Sequence, residues 1–182
     1  ITELQAVNRA LMTLTRCNEA LVRCSTEEDL LQAVCRAVVE AGGYRMSWVG
    51  YVEEGKQRTV RPMFWAGHEE GYVSALNIDL SDRKTGRGPT AIAVRTGKPA
   101  VVRDILSDPS FAPWREEAAK RGYGSSVALP LVDRGHAYGA LCIYAAEREM
   151  FNEEEVALLS QLAEDLSYGI KALRGRIERD HA

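Results

Sequence analysis

Cysteine and histidine are the side chains of this 182-residue chain best suited to covalent or metal chemistry. No two of the four cysteines stand at two-residue spacing, so neither a zinc ribbon nor a thioredoxin-type motif is predicted. The three histidines lie far apart in the sequence. We therefore expect reduced, buried thiols and no metal site. The residues concerned are Cys17, Cys24, Cys35, Cys142, His68, His136 and His181.

Motifs of nucleophilic or acid–base catalysis do not stand out. There is no Ser-His-Asp spacing, no P-loop and no pair of carboxylates placed for proton transfer. The acidic run 153–155 is explained by the first turn of a helix, where negative charge is favourable. The sequence therefore predicts a domain that is not an enzyme.

Two apolar segments, residues 125–132 and 138–145, are predicted strands with turn residues between them. Bulky aliphatic side chains alternate with small or polar ones along both, so the two kinds lie on opposite faces. We expect the aliphatic face to pack on helices, because that face must be dry and filled. Small residues leave volume on the other face, and hydroxyls there offer hydrogen bonds, as a pocket floor requires. The predicted floor residues are Ser126, Ala128, Cys142 and Tyr144.

The composition is that of a globular protein, because 46% of the residues are hydrophobic and 27% are charged. The net charge of −3 argues against nucleic-acid binding, which normally needs a basic surplus. No apolar run approaches the ~18 residues of a membrane span, and the sequence predicts no signal peptide. We expect a cytoplasmic domain without membrane insertion. Since the first residue is isoleucine, we also expect a piece of a longer protein.

Apolar residues near both ends of the chain follow the alternating three- and four-residue spacing of a coiled coil. In the first helix, an asparagine at a core position favours a two-stranded coiled coil. In the last helix, β-branched residues alternate with leucine at the core positions, which favours a parallel pair of helices. We predict a homodimer, although both stripes could instead pack on the domain's own sheet. The predicted interface residues are Leu4, Leu11, Leu14, Asn18, Leu21, Leu159, Leu166, Ile170, Leu173 and Ile177.

The order of predicted elements is helix, helix, strands, short helices, strands and helix, including a short strand at 78–80. Runs of this kind indicate an α+β fold with a mostly antiparallel sheet. No internal repeat or interdomain linker interrupts it.

Five blocks occur in a specific order and spacing along the chain. They are Gly86-Arg87-Gly88-Pro89-Thr90 continuing to Asp104, residues 108–115, residues 121–131, residues 138–141 and residues 151–155. Together they resemble bacterial GAF domains over about residues 25–172. The resemblance implies a six-stranded antiparallel sheet with the N- and C-terminal helices on one face and a small-molecule pocket, closed by short helices, on the other. It also implies a signalling protein whose output domain is a histidine kinase or a cyclic-di-GMP enzyme.

Further pocket candidates lie on the predicted short helices and loops. Phe111, Trp114 and Tyr123 are aromatic residues that stack on a planar ligand or, alternatively, seal the core. Arg87 stands beside a helix N-terminus at 88–90, where free backbone amides favour an anion. The alternative for this segment is a turn that only caps the helix.

The ligand classes of similar GAF domains need particular residues. Covalent bilin needs a Cys-His pair where this chain has Pro113-Trp114, and haem needs an axial histidine, for which His68 is the candidate. Residues 144–148 lack the Asn-Lys pair of cyclic-nucleotide sites. Methionine sulfoxide reductases of this fold need clustered cysteines, whereas only Cys142 is predicted near the pocket. Bilin and haem are therefore not expected, and the ligand stays unidentified.

We predict a non-catalytic regulatory domain that binds a small molecule or relays a signal through dimer helices to an output domain. One alternative is a ligand-free GAF domain that serves dimerisation or partner docking. The other is a thiol-based reductase. The expected segments are a signalling helix at 1–24, a core at 25–151 and a helix continuing as a coiled-coil linker at 152–182.

Overall fold

The centre of the computed structural model, which describes residues 1–55, 58–82 and 84–181, is an antiparallel sheet. It contains β1 (Met46–Glu53), β2 (Thr59–Gly67), β3 (Ala100–Val102), β4 (Ser125–Asp133) and β5 (His136–Ala145). Their order in the sheet is β2-β1-β5-β4-β3, with every neighbouring pair antiparallel. The predicted α+β class and the antiparallel sheet are confirmed.

The sheet has five strands among the described residues, not the six that the resemblance implied. The segment predicted as a short strand at 78–80 forms only an isolated bridge, between Thr59 and Asp79. Asn77, just before it, has a φ of 45°, a left-handed conformation that interrupts an extended run. The segment therefore lies beside the edge of β2, with Ile78 and Leu80 buried.

Five α-helices complete the fold. They are α1 (Glu3–Arg23), α2 (Glu27–Glu40), α3 (Pro89–Thr96), α4 (Arg115–Lys120) and α5 (Glu153–His181), with short 3₁₀ turns at Val73–Ala75, Thr85–Arg87 and Pro109–Trp114. Each long helix begins at a capping side chain: Thr2 for α1, Thr26 for α2 and Asn152 for α5. Among the described residues, no helix is both long and apolar enough to cross a membrane.

One face of the sheet, here called the helix face, is covered by α2 and α5, and α1 packs on these two helices. The aliphatic residues Val127, Leu129 and Leu131 of β4 and Leu141 and Ile143 of β5 pack there, as predicted from the strand alternation. Helices α1 and α5 run parallel, since Arg9 meets Glu155 near their starts and Leu21 lies against Gly169 further along. A Cβ atom at Gly169 would stand 2.4 Å from Leu21 Cδ2, so the absence of a side chain permits this close approach.

The heptad stripe of α5 is occupied within the protomer. Leu159, Leu166, Ile170 and Leu173 are buried in the core of the helix face, contrary to the prediction that they face a partner helix. A helix that packs on a sheet and against a parallel neighbouring helix needs the same three- and four-residue spacing as a coiled coil, so the spacing did not distinguish the two arrangements. The remaining predicted interface residues differ: Leu14 and Leu21 are half-buried, whereas Leu4, Leu11, Asn18 and Ile177 are exposed.

Candidate functional site

The other face of the sheet, here called the pocket face, carries the four predicted floor residues. Ser126 is paired in register with Tyr144, and Ala128 with Cys142, so the four side chains form one patch on neighbouring strands. All four are buried, and Ala128, Cys142 and Tyr144 belong to a second apolar cluster, separate from the core of the helix face. The structure therefore brings these sequence-predicted residues together.

Helix α3 covers the part of this patch where the side chains are smallest. Its Ala91 and Ala93 are fully buried, and Thr90 Oγ1 lies 3.3 Å from Cys142 Sγ. The volume left by Ala128 and Cys142 is thus used for close helix packing, instead of the ligand space expected from the sequence.

Aromatic rings fill the remainder of the pocket face. Tyr123 and Tyr144 have ring centroids 4.9 Å apart, Tyr72 and Tyr123 5.1 Å apart, and Phe111 and Trp114 5.7 Å apart. Phe111, Trp114 and Tyr123 therefore converge as predicted candidates, but they contact protein rings. Between the rings remains a void of about 10 Å³, at the lower limit for one water molecule.

Two buried hydroxyls in this region have no hydrogen-bond partner among the described residues. They are Tyr72 Oη, on a side chain that lines the void and is 1% exposed, and Ser126 Oγ, on a residue 3% exposed. The neighbouring Tyr144 hydroxyl accepts a hydrogen bond of 3.0 Å from Trp48 Nε1. It also lies near Tyr72 Oη, but the two hydroxyls do not have hydrogen-bond geometry. Buried polar groups are nearly always hydrogen-bonded, so the two unpaired hydroxyls mark a place where a polar partner is missing.

Tyr72 was missed by the sequence analysis because residues 67–87 show no regular periodicity. It belongs to the lid segment, residues 68–80, which lies over the rings. Trp114 Nε1 donates to Leu76 O at 2.9 Å, and the Tyr123 hydroxyl donates to His68 O. Arg121 donates from Nε to Glu69 O at 3.0 Å. The middle of the lid segment is therefore held by side chains of the pocket face, while backbone hydrogen bonds hold its two ends.

Arg87, the predicted anion-binding residue, is exposed and does not line the void. It faces a surface depression that is also lined by Lys84, Pro109, Ser110, Ala112 and Pro113. Arg87 is thus separated from the other candidates.

The thiols are not arranged for redox chemistry. Burial raises the pKa of the Cys142 thiol to about 12, which suppresses the thiolate that reacts. All four cysteines are free; Cys17 and Cys35 lie in the core of the helix face, and Cys24 packs against it. Among the described residues, no three His, Cys, Asp or Glu side chains are grouped to hold a metal ion.

In the part of the chain that the structure describes, charged side chains are buried only on the helix face. Arg9 of α1 donates from Nε to Glu155 Oε2 at 3.1 Å and from Nη1 to Glu147 Oε1 at 2.7 Å. Glu155 also accepts from Tyr44 Oη at 2.6 Å and from the backbone amide of Phe151 at 2.9 Å. The sequence analysis missed this cluster, because Arg9 and Glu155 are 146 residues apart. It joins α1 to the first turn of α5.

A second ion pair connects the loop before α5 to the loop that leads to the rings of the pocket face. Arg148, in the loop between β5 and α5, donates to both carboxylate oxygens of Asp104 at 3.0 and 2.5 Å. Hydrogen bonding to Arg148 lowers the pKa of Asp104 to about 2, so the pair is ionised at neutral pH. Asp104 lies at the start of the loop that leads to Phe111 and Trp114.

Removal of an unpaired hydroxyl should not cost stability. We expect Tyr72→Phe to leave the free energy of unfolding unchanged or to raise it by about 1 kcal/mol, because it deletes a buried group without a partner. Tyr144→Phe is the matched control, since it leaves the Trp48 indole N–H unpaired and should cost about 1–3 kcal/mol. Urea denaturation of both variants measures the difference. Equal losses in the two would show that Tyr72 Oη has a partner in the folded protein.

Comparison with known proteins gives the family of this chain. A family model described as "GAF domain" matches residues 24–171. Among curated proteins, no significant match was found.

Solved structures share the fold at low sequence identity. The GAF domain of a phosphoenolpyruvate-protein phosphotransferase from Coxiella burnetii is 20% identical, with a TM-score of 0.76, over 93% of this chain and 97% of that one. A free methionine-R-sulfoxide reductase from Neisseria meningitidis, solved with its substrate, is 19% identical, with a TM-score of 0.73, over 97% and 95%. A domain described as part of a two-component sensor histidine kinase from Sinorhizobium meliloti 1021 is 19% identical, with a TM-score of 0.64, over 85% and 97%.

These structures include regulatory domains and an enzyme, so the likeness to them establishes the shared fold and no particular activity. The family match spans most of the chain, and the architecture agrees with it: an antiparallel sheet, long helices on one face and short helices on the other. This chain belongs to the GAF domain family.

Proposed function

We propose that this GAF domain is a non-catalytic sensory module of a bacterial signal-transduction protein. A small molecule binds on the pocket face and changes the packing of α1 and α5, and these helices pass the change to an output domain in the same chain. The observation that carries the proposal is the buried Tyr72 hydroxyl, which lines a void and has no partner among the described residues.

A buried hydroxyl without a partner destabilises the folded protein by about 1–3 kcal/mol. A ligand that parts the rings and bonds to Tyr72 Oη would remove this penalty, and its binding would be favoured by the same amount. The penalty in the free protein is thus consistent with a site that is completed by its ligand.

The proposed route from the pocket face to the helices follows two ion-pair clusters. The loop that carries Phe111 and Trp114 begins at Asp104, which is paired with Arg148. One residue before Arg148, Glu147 is paired with Arg9 of α1, and Arg9 is also paired with Glu155 of α5. A ligand that displaced the loop would therefore shift the ion pairs that join it to α1 and α5 near the starts of both helices. For such a relay, ligand binding on the pocket face must be coupled in free energy to the arrangement of α1 and α5.

The proposal includes a homodimer formed through α1. Leu4 is 70% exposed and Leu11 49% exposed, and with Asn18 they recur at heptad spacing on the side of α1 that faces away from the core. Half-buried Leu14 and Leu21 flank this side. A second copy of the same stripe, related by two-fold symmetry, would bury it and place the two α5 helices on either side.

A ligand-free domain that serves only dimerisation is the second candidate, and the small size of the void favours it. The reductase alternative, which the fold of the Neisseria enzyme suggests, needs a second thiol near Cys142. Cys17, Cys24 and Cys35 pack on the opposite side of the sheet, which counts against it.

Native mass spectrometry of the freshly purified domain tests the proposed function. The expected result is a dimer mass with an additional small molecule that is released on denaturation. An empty dimer, with no rise in melting temperature across nucleotides, haem and metabolites, would instead support the ligand-free candidate. Steady-state turnover of free methionine sulfoxide would establish the enzyme and overturn the proposal.

A further inference from the structure

The chemistry of the pocket face indicates which class of ligand it takes. We propose that the ligand is a small, flat and uncharged molecule that carries one hydrogen-bonding group for Tyr72 Oη. This inference rests on the proposed function, because it assumes that the pocket face binds a ligand.

Charge is the first criterion. No residue that lines the void carries an ionised side chain, and the buried charged residues Arg9 and Glu155 lie on the helix face. An ion buried without a counter-charge costs several kcal/mol, so a carboxylate, a phosphate or an ammonium group would be rejected. The residues that line the void are Tyr72, Leu76, Ile78, Pro89, Thr90, Phe111, Trp114 and Tyr144.

Two arginines, one beside the lid segment and one beside the loop at 104–114, are already hydrogen-bonded. Arg121 is bound to Glu117 at 2.8 Å and to the carbonyls of the lid segment. Arg115 donates to Ile105 O at 3.2 Å and to Asp108 O at 2.7 Å. An ionic ligand would have to break these contacts before it could use either guanidinium group.

The arrangement of the rings is the second criterion. Phe111 meets Trp114 at 68° and Tyr144 at 77°, and Tyr72 meets Tyr144 at 79°, so the contacts are edge-to-face. A flat aromatic ring inserted between them makes the same kind of contact with its own face and edge. An aliphatic chain of equal size cannot replace those interactions. The geometry therefore favours a ring.

Size is the third criterion. The void of about 10 Å³ is far below the roughly 300–1,000 Å³ of most ligand sites, so entry must move the lid segment. The lid is held by the bonds from Trp114 to Leu76 and from Tyr123 to His68. A ligand of one or two rings requires less displacement than a larger one, because these bonds lie at the edge of the ring cluster.

Three probes of equal shape and different charge test the ligand class: benzyl alcohol, benzylammonium and benzoate. The binding of each is followed by calorimetry and by tryptophan fluorescence in the Trp65→Phe variant. That substitution removes the exposed indole, so the signal comes from Trp48 and Trp114 on the pocket face. We expect benzyl alcohol to bind at least about tenfold more tightly than either ion.

The hydrogen-bonding group is tested by Tyr72→Phe in the same background. Loss of one hydrogen bond should weaken benzyl alcohol binding by about three- to tenfold. The control is the Trp65→Phe protein that keeps Tyr72. Unchanged affinity in the Tyr72→Phe variant would overturn the assignment of Tyr72.

The outcomes separate this inference from the proposed function. If benzoate or benzylammonium binds as tightly as benzyl alcohol, the uncharged class is wrong, while a ligand site on the pocket face stands. If none of the three binds and the purified protein carries no small molecule, the ligand part of the proposed function fails as well.

Discussion

Glu155→Ala is expected to lower the free energy of unfolding by about 3–5 kcal/mol, because it leaves a buried positive charge without its main partner. Arg9 would keep only the half-exposed Glu147, and the Tyr44 hydroxyl and the Phe151 amide would both lose their acceptor. The loss should appear as an earlier midpoint in urea denaturation with an unchanged slope.

Glu19→Ala is the matched control for this prediction. Its carboxylate also pairs with an arginine, Arg16 at 3.7 Å, but both side chains are more than half exposed. Exposed pairs of this kind contribute about 0–1 kcal/mol. Similar losses in the two variants would mean that the Arg9–Glu155 pair is hydrated, and α1 and α5 would then not be joined as described.

Leu11→Glu is expected to weaken the proposed homodimer by about 100-fold or more. Two-fold symmetry removes two leucines from one interface, each contributing about 1.5–3 kcal/mol when buried, and places two like charges there. Analytical ultracentrifugation across a concentration series measures the dissociation constant. Leu4→Glu should act in the same direction.

Trp65→Glu controls for the introduction of a charge on an exposed apolar residue. Trp65 is 49% exposed, the same fraction as Leu11, but it lies on β2 at the edge of the sheet. Its substitution should leave the dimer unchanged. A dimer that survives Leu11→Glu but is lost in Trp65→Glu would place the interface at the sheet edge instead of α1.

The strands and their faces could be predicted from the sequence because they depend on local alternation. Val127 and Leu129 alternate with Ser126 and Ala128 along β4, and a period of two assigns them to opposite faces whatever the rest of the chain does. The segment at 78–80 failed as a strand because one residue, Asn77, takes a left-handed conformation.

It was harder to infer from the sequence what covers the apolar stripe of a predicted helix. The spacing of Leu159, Leu166 and Leu173 indicated a packed stripe correctly, but a stripe does not specify whether a sheet or another protomer covers it. In α1 the same spacing left Leu4 and Leu11 exposed. The difference is that α5 lies between the sheet and α1, whereas α1 packs mainly on α2 and α5 and its outer side stays uncovered.

The candidate site depends on contacts between residues distant in sequence. Phe111, Trp114 and Tyr123 were identified as aromatic candidates by type, but their convergence with Tyr72 follows from the path of the lid segment. The cluster of Arg9 with Glu155 likewise joins the two ends of the chain. Neither has a local pattern, so the sequence analysis could not supply them.

Hydrogen–deuterium exchange with and without saturating benzyl alcohol tests most directly whether occupancy of the pocket face reaches the helices. We expect slower exchange in residues 68–80 and 109–123 together with altered exchange in α1 and α5. Arg148→Ala, which breaks the pair with Asp104, should keep the first effect and reduce the second. Protection confined to the pocket face in the unsubstituted protein, with α1 and α5 unchanged, would contradict the proposed relay.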